Sequence, residues 1–305
     1  MFAKLFAESG LSLDRLKALL AVAAAGSIVK AADSDPVKQS QYSRQIKELE
    51  EFFRIKLVER HGKGIRLTPS GKELARISRF FMLGLSNFQR GCLTEEQTFR
   101  IGASATFIQK FLLPAISPAG KAQQGDRYAV ETASDDEIER RLHDLTLDFG
   151  VTTRREISRP LQLKELGKWR LRLWVPRGIG KTEKEAARAF KVCQWPMVLA
   201  EKELRGCGAV IPSDHQVQLF CDDFLQAATA LREQRLAAVL PDFLSPTEDS
   251  KLFMRVRTSA IDSSIYRFHL AWNPRLLRLN PHAVRWRDVF FDSLVRQISC
   301  HVRSP

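Results

Sequence analysis

The chain is poor in cysteine, and its cysteines do not form the patterns that hold metals or build disulfide frameworks. It has five cysteines in 305 residues, an odd number, and no two of them form a C-x-x-C pair. Structural zinc sites and small disulfide scaffolds depend on such pairs. We therefore predict no resident metal or cofactor, and a reducing cytoplasm as the setting.

Long apolar runs are also missing. No stretch approaches the ~20 apolar residues of a membrane-spanning helix. Residues 18–25 follow Arg15 and Lys17 and have the outline of a secretory signal. That run is short, acidic residues precede it, and it continues into the next helical pattern. We expect neither an export signal nor a membrane partner.

Acidic residues are outnumbered by basic ones. The chain has 48 Lys and Arg against 35 Asp and Glu, a net charge of +13. Residues 1–97 carry 16 basic and 11 acidic side chains, and residues 98–305 carry 32 and 24. Because the excess is spread over the chain, net charge alone does not locate a polyanion site. The 44% hydrophobic content predicts a sizeable core, divided into two or three domains, and excludes global disorder.

Residues 36–53 predict a helix with two distinct faces. One face is an apolar stripe at steps of four, three and four residues: Tyr42, Ile46, Leu49 and Phe53. Another face carries amide, hydroxyl and cationic groups without a carboxylate: Gln39, Ser40, Ser43, Arg44 and Lys47. These groups suit base edges and phosphates. The segment is therefore a candidate DNA recognition helix.

A tight turn precedes this helix and a basic hairpin follows it. Ser27 can cap a short helix, and Asp35 and Pro36 end it, because the residue before a proline is pushed out of the helical region. Residues 56–67 predict two short strands around a glycine-bearing basic turn. This order is that of a helix-turn-helix followed by a wing.

In order and spacing, residues 12–72 resemble the DNA-binding domain of LysR-type transcriptional regulators. The matching residues are Gly26-Ser27, Ala31-Ala32, Gln39-Ser40, Ser43-Arg44-Gln45-Ile46, Leu49-Glu50, Arg60, Leu67-Thr68 and Gly71. The predicted DNA-binding residues are Ser27, Lys30, Lys38, Gln39, Ser40, Ser43, Arg44, Lys47, Arg60, Lys63, Arg66 and Thr68. The chain departs from the family pattern at Asp35, where a leucine is usual, and at Arg54 and residues 234–236, where glycines are usual.

Residues 72–94 predict a helix that pairs two copies of the chain. Its apolar residues recur at three- and four-residue steps: Leu74, Ile77, Phe81, Leu85 and Phe88. A single helix of this kind between two domains would leave phenylalanines in water. We therefore expect a homodimer or homotetramer, which the resemblance also implies. An amphipathic helix packed on its own domain is the alternative.

From residue 98 onward, strand and helix patterns alternate, which indicates parallel strands joined by crossover helices. The resemblance implies a two-lobed, periplasmic-binding-protein-like effector domain. The predicted fold class is α/β multidomain. The predicted domains are a winged helix-turn-helix at 1–71, a long linker helix at 72–94 and an effector domain at 95–305, with lobe I at about 98–160 and 267–305 and lobe II at about 167–266.

Four hydroxyl residues are predicted to line the effector cleft: Ser104, Thr106, Thr152 and Thr153. Each pair follows a predicted strand, and ligands of open α/β sheets bind beyond such strand ends. Hydroxyls and free N–H groups at a helix start suit a carboxylate or phosphate. We predict an unidentified small-molecule effector, with an anion favoured by the basic excess. Capping of helices and turns is the alternative role.

Three other interpretations have some basis in the sequence. Ser27 and Lys30 spell the S-x-x-K of serine acyl-enzymes, but the supporting motifs are absent, so we predict no enzyme. A solute-binding protein without DNA function would use the two-lobed part alone. Cys193 and Cys207 could form a redox switch, because one branch of the LysR family senses peroxide through a cysteine pair; buried thiols are the simpler interpretation.

The predicted function is that of a cytoplasmic, sequence-specific DNA-binding regulator of LysR type, controlled by a small molecule. Two-fold pairing places two recognition helices in successive major grooves. The operator should therefore be a pseudo-palindrome in duplex DNA, with half-sites about 34 Å or a multiple apart. RNA polymerase is a further candidate partner.

Arg44 and Lys63 should contribute differently to DNA binding. If Arg44 reads a base, Arg44→Ala weakens specific binding by about 1–3 kcal/mol. Lys63→Ala should weaken all duplexes alike and flatten the dependence of affinity on salt. Salt titrations on specific and random duplexes separate the two effects. Negligible effects of both changes would contradict this placement and leave Arg44 as an i,i+4 partner of Glu48.

Overall fold

A computed structural model of the chain describes residues 10–61, 64–93, 98–116, 127–179, 182–191, 196–209, 217–246 and 251–302. The chain forms two compact units, Met1–Glu95 and Glu96–Pro305. In the part that the structure describes, no helix combines the length and the apolar character needed to cross a membrane.

The first unit is a winged helix-turn-helix followed by a long helix. In chain order its elements are α1 (Leu13–Ala25), α2 (Ile28–Ala31), α3 (Pro36–Phe53), β1 (Val58–His61), β2 (Gly64–Leu67) and α4 (Pro69–Leu93). Strands β1 and β2 pair antiparallel and form the wing. The long helix begins at Pro69, three residues before the start that the sequence predicted, so it grows directly out of the wing.

The ends of α3 explain two departures from the family pattern. Asp35 caps α3, and its carboxylate accepts backbone N–H groups from Val37 at 2.8 Å and Lys38 at 3.4 Å. An aspartate therefore satisfies donors that a leucine would leave to other partners. At the other end, Arg54 has a φ of 54°, the left-handed conformation that glycine adopts most easily. Arg235, in the second unit, ends its helix in the same way with a φ of 55°.

The core of the first unit lies between α1, α3 and the wing. The predicted stripe on α3 faces it: Ile46 and Leu49 are buried, and Tyr42 and Phe53 pack at its margin. Helix α1 contributes Leu19 and Val22 among its buried residues. The apolar spacing of α3 therefore determines which of its faces remains outside.

Glu50 ties the recognition helix to the wing. Its side chain is buried and accepts the backbone N–H groups of Leu57 at 2.8 Å and Val58 at 3.2 Å, while Lys56 Nζ lies 3.1 Å from its other oxygen. Burial opposes ionisation of Glu50, but these donors outweigh it and hold its pKa below the ordinary value. The carboxylate is therefore charged at neutral pH and fixes the chain where α3 gives way to β1.

The second unit alternates strands and helices. In chain order its elements are β3 (Thr98–Ala103), α5 (Ala105–Phe107), a π-turn (Ile108–Leu112), α6 (Leu113–Ala115), β4 (Arg127–Thr132), α7 (Asp135–His143), β5 (Phe149–Thr152), β6 (Gln162–Trp169), β7 (Leu171–Pro176), a 3-10 turn (Arg177–Ile179), α8 (Glu183–Lys191), β8 (Met197–Ala200), α9 (Glu201–Gly206), β9 (Val217–Cys221), α10 (Phe224–Gln234), β10 (Ala237–Pro241), a 3-10 turn (Asp242–Leu244), β11 (Phe253–Val256), α11 (Ser259–Asp262), β12 (Tyr266–Trp272), α12 (Pro274–Leu279) and α13 (Pro281–Val302).

These strands form two five-stranded sheets, one for each lobe. The first has the order β4-β3-β5-β12-β6 and the second the order β11-β7-β10-β8-β9. Within each sheet three neighbouring strands pair in parallel, as the alternation predicted. The remaining strands pair antiparallel, so both sheets are mixed.

The predicted boundary between the lobes needs a correction. The prediction ended the first part of lobe I at about residue 160 and began lobe II at about 167. Strand β6 (Gln162–Trp169) instead pairs with β12 over its whole length and belongs to the sheet of lobe I. The chain enters lobe II after Arg170, at the start of β7. Because β6 is an edge strand with an irregular burial pattern, its sequence lacks a clear strand alternation.

Removal of the Glu50 carboxylate should loosen α3 and the start of the wing. We expect Glu50→Ala to destabilise the first unit by about 2–3 kcal/mol at neutral pH, because the N–H groups of Leu57 and Val58 lose a charged acceptor. Amide hydrogen exchange over α3 and residues 57–58 measures the change.

The same contact predicts a dependence on pH. The pKa of Glu50 is lowered from 4.5, so its contribution is present above that pH and is lost as the pH falls through the lowered pKa. Glu50→Ala should not show that loss. Glu51→Ala is the control, because Glu51 is exposed and its carboxylate lies 3.8 Å from Lys47 on the same helix. Equal exchange in both variants would contradict the role of Glu50.

Candidate functional site

The outer face of α3 carries the predicted DNA-reading side chains. Ser40, Ser43, Arg44 and Lys47 are exposed, and Gln39 is half-buried. Two weak ion pairs lie along this face, Arg44 to Glu48 and Lys47 to Glu51, each at 3.8 Å. Ion pairs this exposed contribute little and leave the cations available to a phosphate or base.

The wing and the turn extend this basic surface. Lys30, Lys38, Arg60 and Arg66 are all exposed, and Lys63 lies outside the described residues. The hydroxyls of two predicted contacts are already engaged in capping. Ser27 accepts the backbone N–H of Lys30 at 3.2 Å, and Thr68 accepts that of Gly71 at 3.0 Å while donating to the Lys56 carbonyl at 2.7 Å.

Ser27 and Lys30, the S-x-x-K pair of the sequence, lie at the start of a short helix. In an S-x-x-K enzyme the serine hydroxyl is a nucleophile. Here Ser27 is the N-cap residue of α2, and its hydroxyl oxygen accepts the backbone N–H of Lys30. The S-x-x-K spacing therefore arises from helix capping.

A cavity of ≈ 260 Å³ lies between the two lobes of the second unit. Lobe I contributes the start of α5, the start of α7 and Thr153, and lobe II contributes α9 and the start of α10. Of the four predicted effector residues, Ser104, Thr106 and Thr153 line this cavity. The strand ends and helix starts therefore meet where the sequence predicted.

Thr152 does not line the cavity and is a correction to the prediction. Its side chain is buried, and its hydroxyl accepts the backbone N–H of Arg154 at 3.1 Å. Thr152 is the last residue of β5, whereas Thr153 follows the strand and reaches the cavity.

Glu203 bridges the lobes across the cavity. It extends from α9 in lobe II and accepts the Thr106 hydroxyl at 2.7 Å, the Thr106 backbone N–H at 3.3 Å and the Phe224 backbone N–H at 2.7 Å. Burial raises the pKa of Glu203, and these donors oppose the rise. The carboxylate therefore occupies the helix start at which the sequence predicted an anionic effector.

Asp135 binds Thr153, another predicted effector residue, in a similar way. It accepts the Thr153 hydroxyl at 2.7 Å and the Thr153 backbone N–H at 3.2 Å. The same hydroxyl lies 3.1 Å from the Gly206 carbonyl oxygen in lobe II. Burial raises the pKa of Asp135, and hydrogen bonds from Thr153 and Thr152 oppose this rise. The hydroxyls of Thr106 and Thr153 are thus bonded to carboxylates of the chain itself.

The floor of the cavity is aromatic. Trp169 and Phe268 stack with ring centroids 5.3 Å apart, and Phe107 and Phe243 pack beside Phe268. The indole N–H of Trp169 is buried and has no hydrogen-bond partner among the described residues. The cavity therefore suits the apolar body of a small molecule.

Cys207 lines the cavity but is not set up as a reactive thiol. Its Sγ donates to the Leu204 carbonyl at 3.2 Å, and burial raises its pKa to about 12. Burial also raises the pKa of Cys221 to about 11. Thiols with such values remain protonated at neutral pH. Cys193, the other half of the proposed redox pair, lies outside the described residues, and no metal-binding group of three or more His, Cys, Asp or Glu occurs within them.

Sequence reasoning missed Asp135, Glu203 and Trp169. Asp135 follows a serine cap and could have been found as a carboxylate in the first turn of a predicted helix. Glu203 meets Thr106 across 97 positions of sequence, and no local pattern marks it. Trp169 ends β6, the strand that the prediction did not assign to lobe I.

Two family models match the chain. Residues 13–72 match the model described as bacterial regulatory helix-turn-helix protein, lysR family, and residues 94–294 match the LysR substrate binding domain. Among curated proteins, the chain is 28% identical over 163 residues to the HTH-type transcriptional regulator HdfR of Yersinia enterocolitica. That alignment covers 53% of the chain and 56% of HdfR, so the chain spans about half the length of this relative.

Solved structures match over nearly the whole chain. Full-length LysG from Corynebacterium glutamicum, with bound effector Arg, has a TM-score of 0.65 at 17% identity, covering 94% of this chain and 99% of LysG. ArgP from Mycobacterium tuberculosis has a TM-score of 0.65 at 22% identity, covering 93% and 97%. At these identities the likeness concerns the fold alone.

Thr106 should stabilise the second unit through Glu203. Thr106→Val keeps the shape but removes the hydroxyl donor, and we expect a loss of about 1–3 kcal/mol. All five tryptophans lie beyond residue 168, so tryptophan fluorescence during urea unfolding follows this unit. Thr229→Val is the matched control, because the Thr229 hydroxyl donates within its own helix, to Leu225 at 3.0 Å. The bridge would be refuted by equal midpoints for the two variants.

Proposed function

The chain belongs to the LysR family of bacterial regulators, and we propose that it binds operator DNA as a homo-oligomer whose arrangement responds to a small molecule in the cleft. The matched family models cover both the DNA-binding and the substrate-binding parts. A chain that acts on chromosomal DNA works in the cytoplasm. Contact with RNA polymerase and the absence of any catalytic step belong to the same proposal.

The exposed polar face of α3 is the observation that carries this function. Ile46 and Leu49 are buried on one side of the helix, which leaves Ser43, Arg44 and Lys47 facing solvent. A helix presented in this way, with a basic wing beside it, fits the major groove and the adjoining phosphates. We propose that the face reads base edges and that the wing binds the backbone.

Helix α4 supplies the surface for pairing. Ile77, Phe81, Leu85 and Phe88 are exposed by 52%, 49%, 45% and 75%, and they lie on one stripe. Single exposed apolar residues are ordinary, but a row along one helix marks a protein interface. Leu74 instead packs against the core of its own unit, so we place it at the margin of the interface.

The cavity between the lobes is the proposed effector site. It combines an aromatic floor with hydroxyl and carboxylate groups from both lobes, so a ligand there contacts both lobes and can bias their arrangement. LysG carries its arginine as effector, but at 17% identity that ligand does not transfer to this chain.

Phe81 offers a direct test of pairing and DNA binding together. Phe81→Asp places a charge in the stripe, and we expect monomers in sedimentation and at least tenfold weaker binding to operators found by genome-wide mapping of bound DNA. Leu252→Asp is the control, because Leu252 is also about half exposed but lies in the second unit. If Phe81→Asp leaves the oligomer and operator binding unchanged, α4 is not the interface. If the wild-type chain binds no duplex, the proposed function is wrong.

A further inference from the structure

A second, basic cavity adjoins the effector cavity. Its volume is ≈ 760 Å³, and it shares Thr153, Gly206 and Cys207 with the aromatic cavity. Its remaining lining comes from the segment after β5, the end of α9 and the segment that leads into β12. The two cavities therefore form neighbouring parts of one cleft.

Guanidinium and hydroxyl groups line this second cavity, and none of the described residues in its lining is a carboxylate. Its arginines are Arg154, Arg155, Arg205 and Arg267, and Ser263 and Ser264 add hydroxyls. The neighbouring cavity has more acidic than basic residues, because Asp135, Glu203, Asp222 and Asp223 line it together with Lys202, which pairs with Asp222 at 2.6 Å. The cleft thus has an acidic end and a basic end.

The arginines differ in how far they are already neutralised. Arg154 is held by Asp136 and Glu139, and Arg267 Nε lies 3.1 Å from Glu165. Arg205 pairs with Glu201 on its own helix, and its side chain is 80% exposed. Arg155 is exposed and donates to the Ile265 carbonyl at 3.4 Å, with no carboxylate partner among the described residues. Arg155 and Arg205 are therefore the cations most available to a ligand.

At the position where the sequence predicted an anion, a carboxylate of the chain already occupies the donors. The N–H and hydroxyl donors of Thr106 are bonded to Glu203. A carboxylate or phosphate arriving there would have to displace a negative charge in a buried site, and it would meet like charge from Asp135 and Asp223. The arginine-lined end has a positive potential instead, and each guanidinium group offers paired N–H donors that match the geometry of an oxyanion.

We propose that the basic cavity is an oxyanion subsite, in which Arg155 and Arg205 bind the carboxylate or phosphate of the effector while its apolar body enters the aromatic cavity. The inference rests on the proposed function, since it names the chemical class of the ligand that the cleft takes. A small organic oxyanion with an apolar body is the expected effector.

Binding of three matched probes tests the subsite in the full-length protein. Phenylacetate and phenyl phosphate carry the two oxyanions, and phenylacetamide is the neutral analogue. We expect titration calorimetry at about 0.15 M salt to show at least tenfold tighter binding of one oxyanion than of phenylacetamide. The oxyanion that binds more tightly identifies the source as carboxylate or phosphate.

Variants locate the binding. Arg155→Gln and Arg205→Gln should each weaken oxyanion binding about tenfold, with phenylacetamide unaffected, and Arg155→Lys should retain part of the affinity. Arg188→Gln is the control, because it removes the same charge from an exposed position on α8 outside the cavity. The subsite is rejected if neither oxyanion binds, if the amide binds as tightly, or if the three glutamine variants behave alike.

Operator binding in the same preparations separates this inference from the function. If operator DNA is bound but no oxyanion binds through Arg155, the subsite alone is wrong. If an oxyanion binds through Arg155 but no duplex is bound, the subsite stands and the DNA-binding function is wrong.

Discussion

Glu203 receives donors from both lobes at once, and the shape of the cleft depends on it. Its carboxylate joins the start of α5 in lobe I to the start of α10 in lobe II, with bonds of 2.7 Å to the Thr106 hydroxyl and the Phe224 N–H. A buried carboxylate without these donors would be strongly destabilising. The bridge therefore fixes the distance between the helix starts.

The chain has fewer carboxylates than cations, and several of them serve inside the fold. Glu50 joins the recognition helix to the wing, Asp135 holds Thr153, and Asp35 caps α3. In each case a negative charge satisfies backbone N–H groups that would otherwise lack an acceptor. On the outer face of α3, by contrast, the cations Arg44 and Lys47 are exposed. This distribution, more than the net charge of +13, matches a protein that binds DNA.

Sequence alone could predict the parts of the fold that rest on local spacing. The stripe of Ile46 and Leu49 on α3, the caps at Ser27 and Asp35, and the alternation of strands in lobe I all follow from periodicities of a few residues. Strand β6 could not be predicted from the sequence, because an edge strand needs no regular apolar pattern. The hydrogen bond between Thr106 and Glu203 could not be predicted either, because these residues are far apart in the chain and only the folded topology brings them together.

Asp35 has a further consequence for how the protein sits on a duplex. The start of a helix usually offers its free N–H groups and its positive dipole end to a phosphate. In α3 a side-chain carboxylate already accepts the N–H groups of Val37 and Lys38. A phosphate that approaches this end of α3 would meet a carboxylate in place of free N–H groups. Contact with the DNA backbone there would therefore depend on nearby cationic side chains such as Lys38, which is exposed.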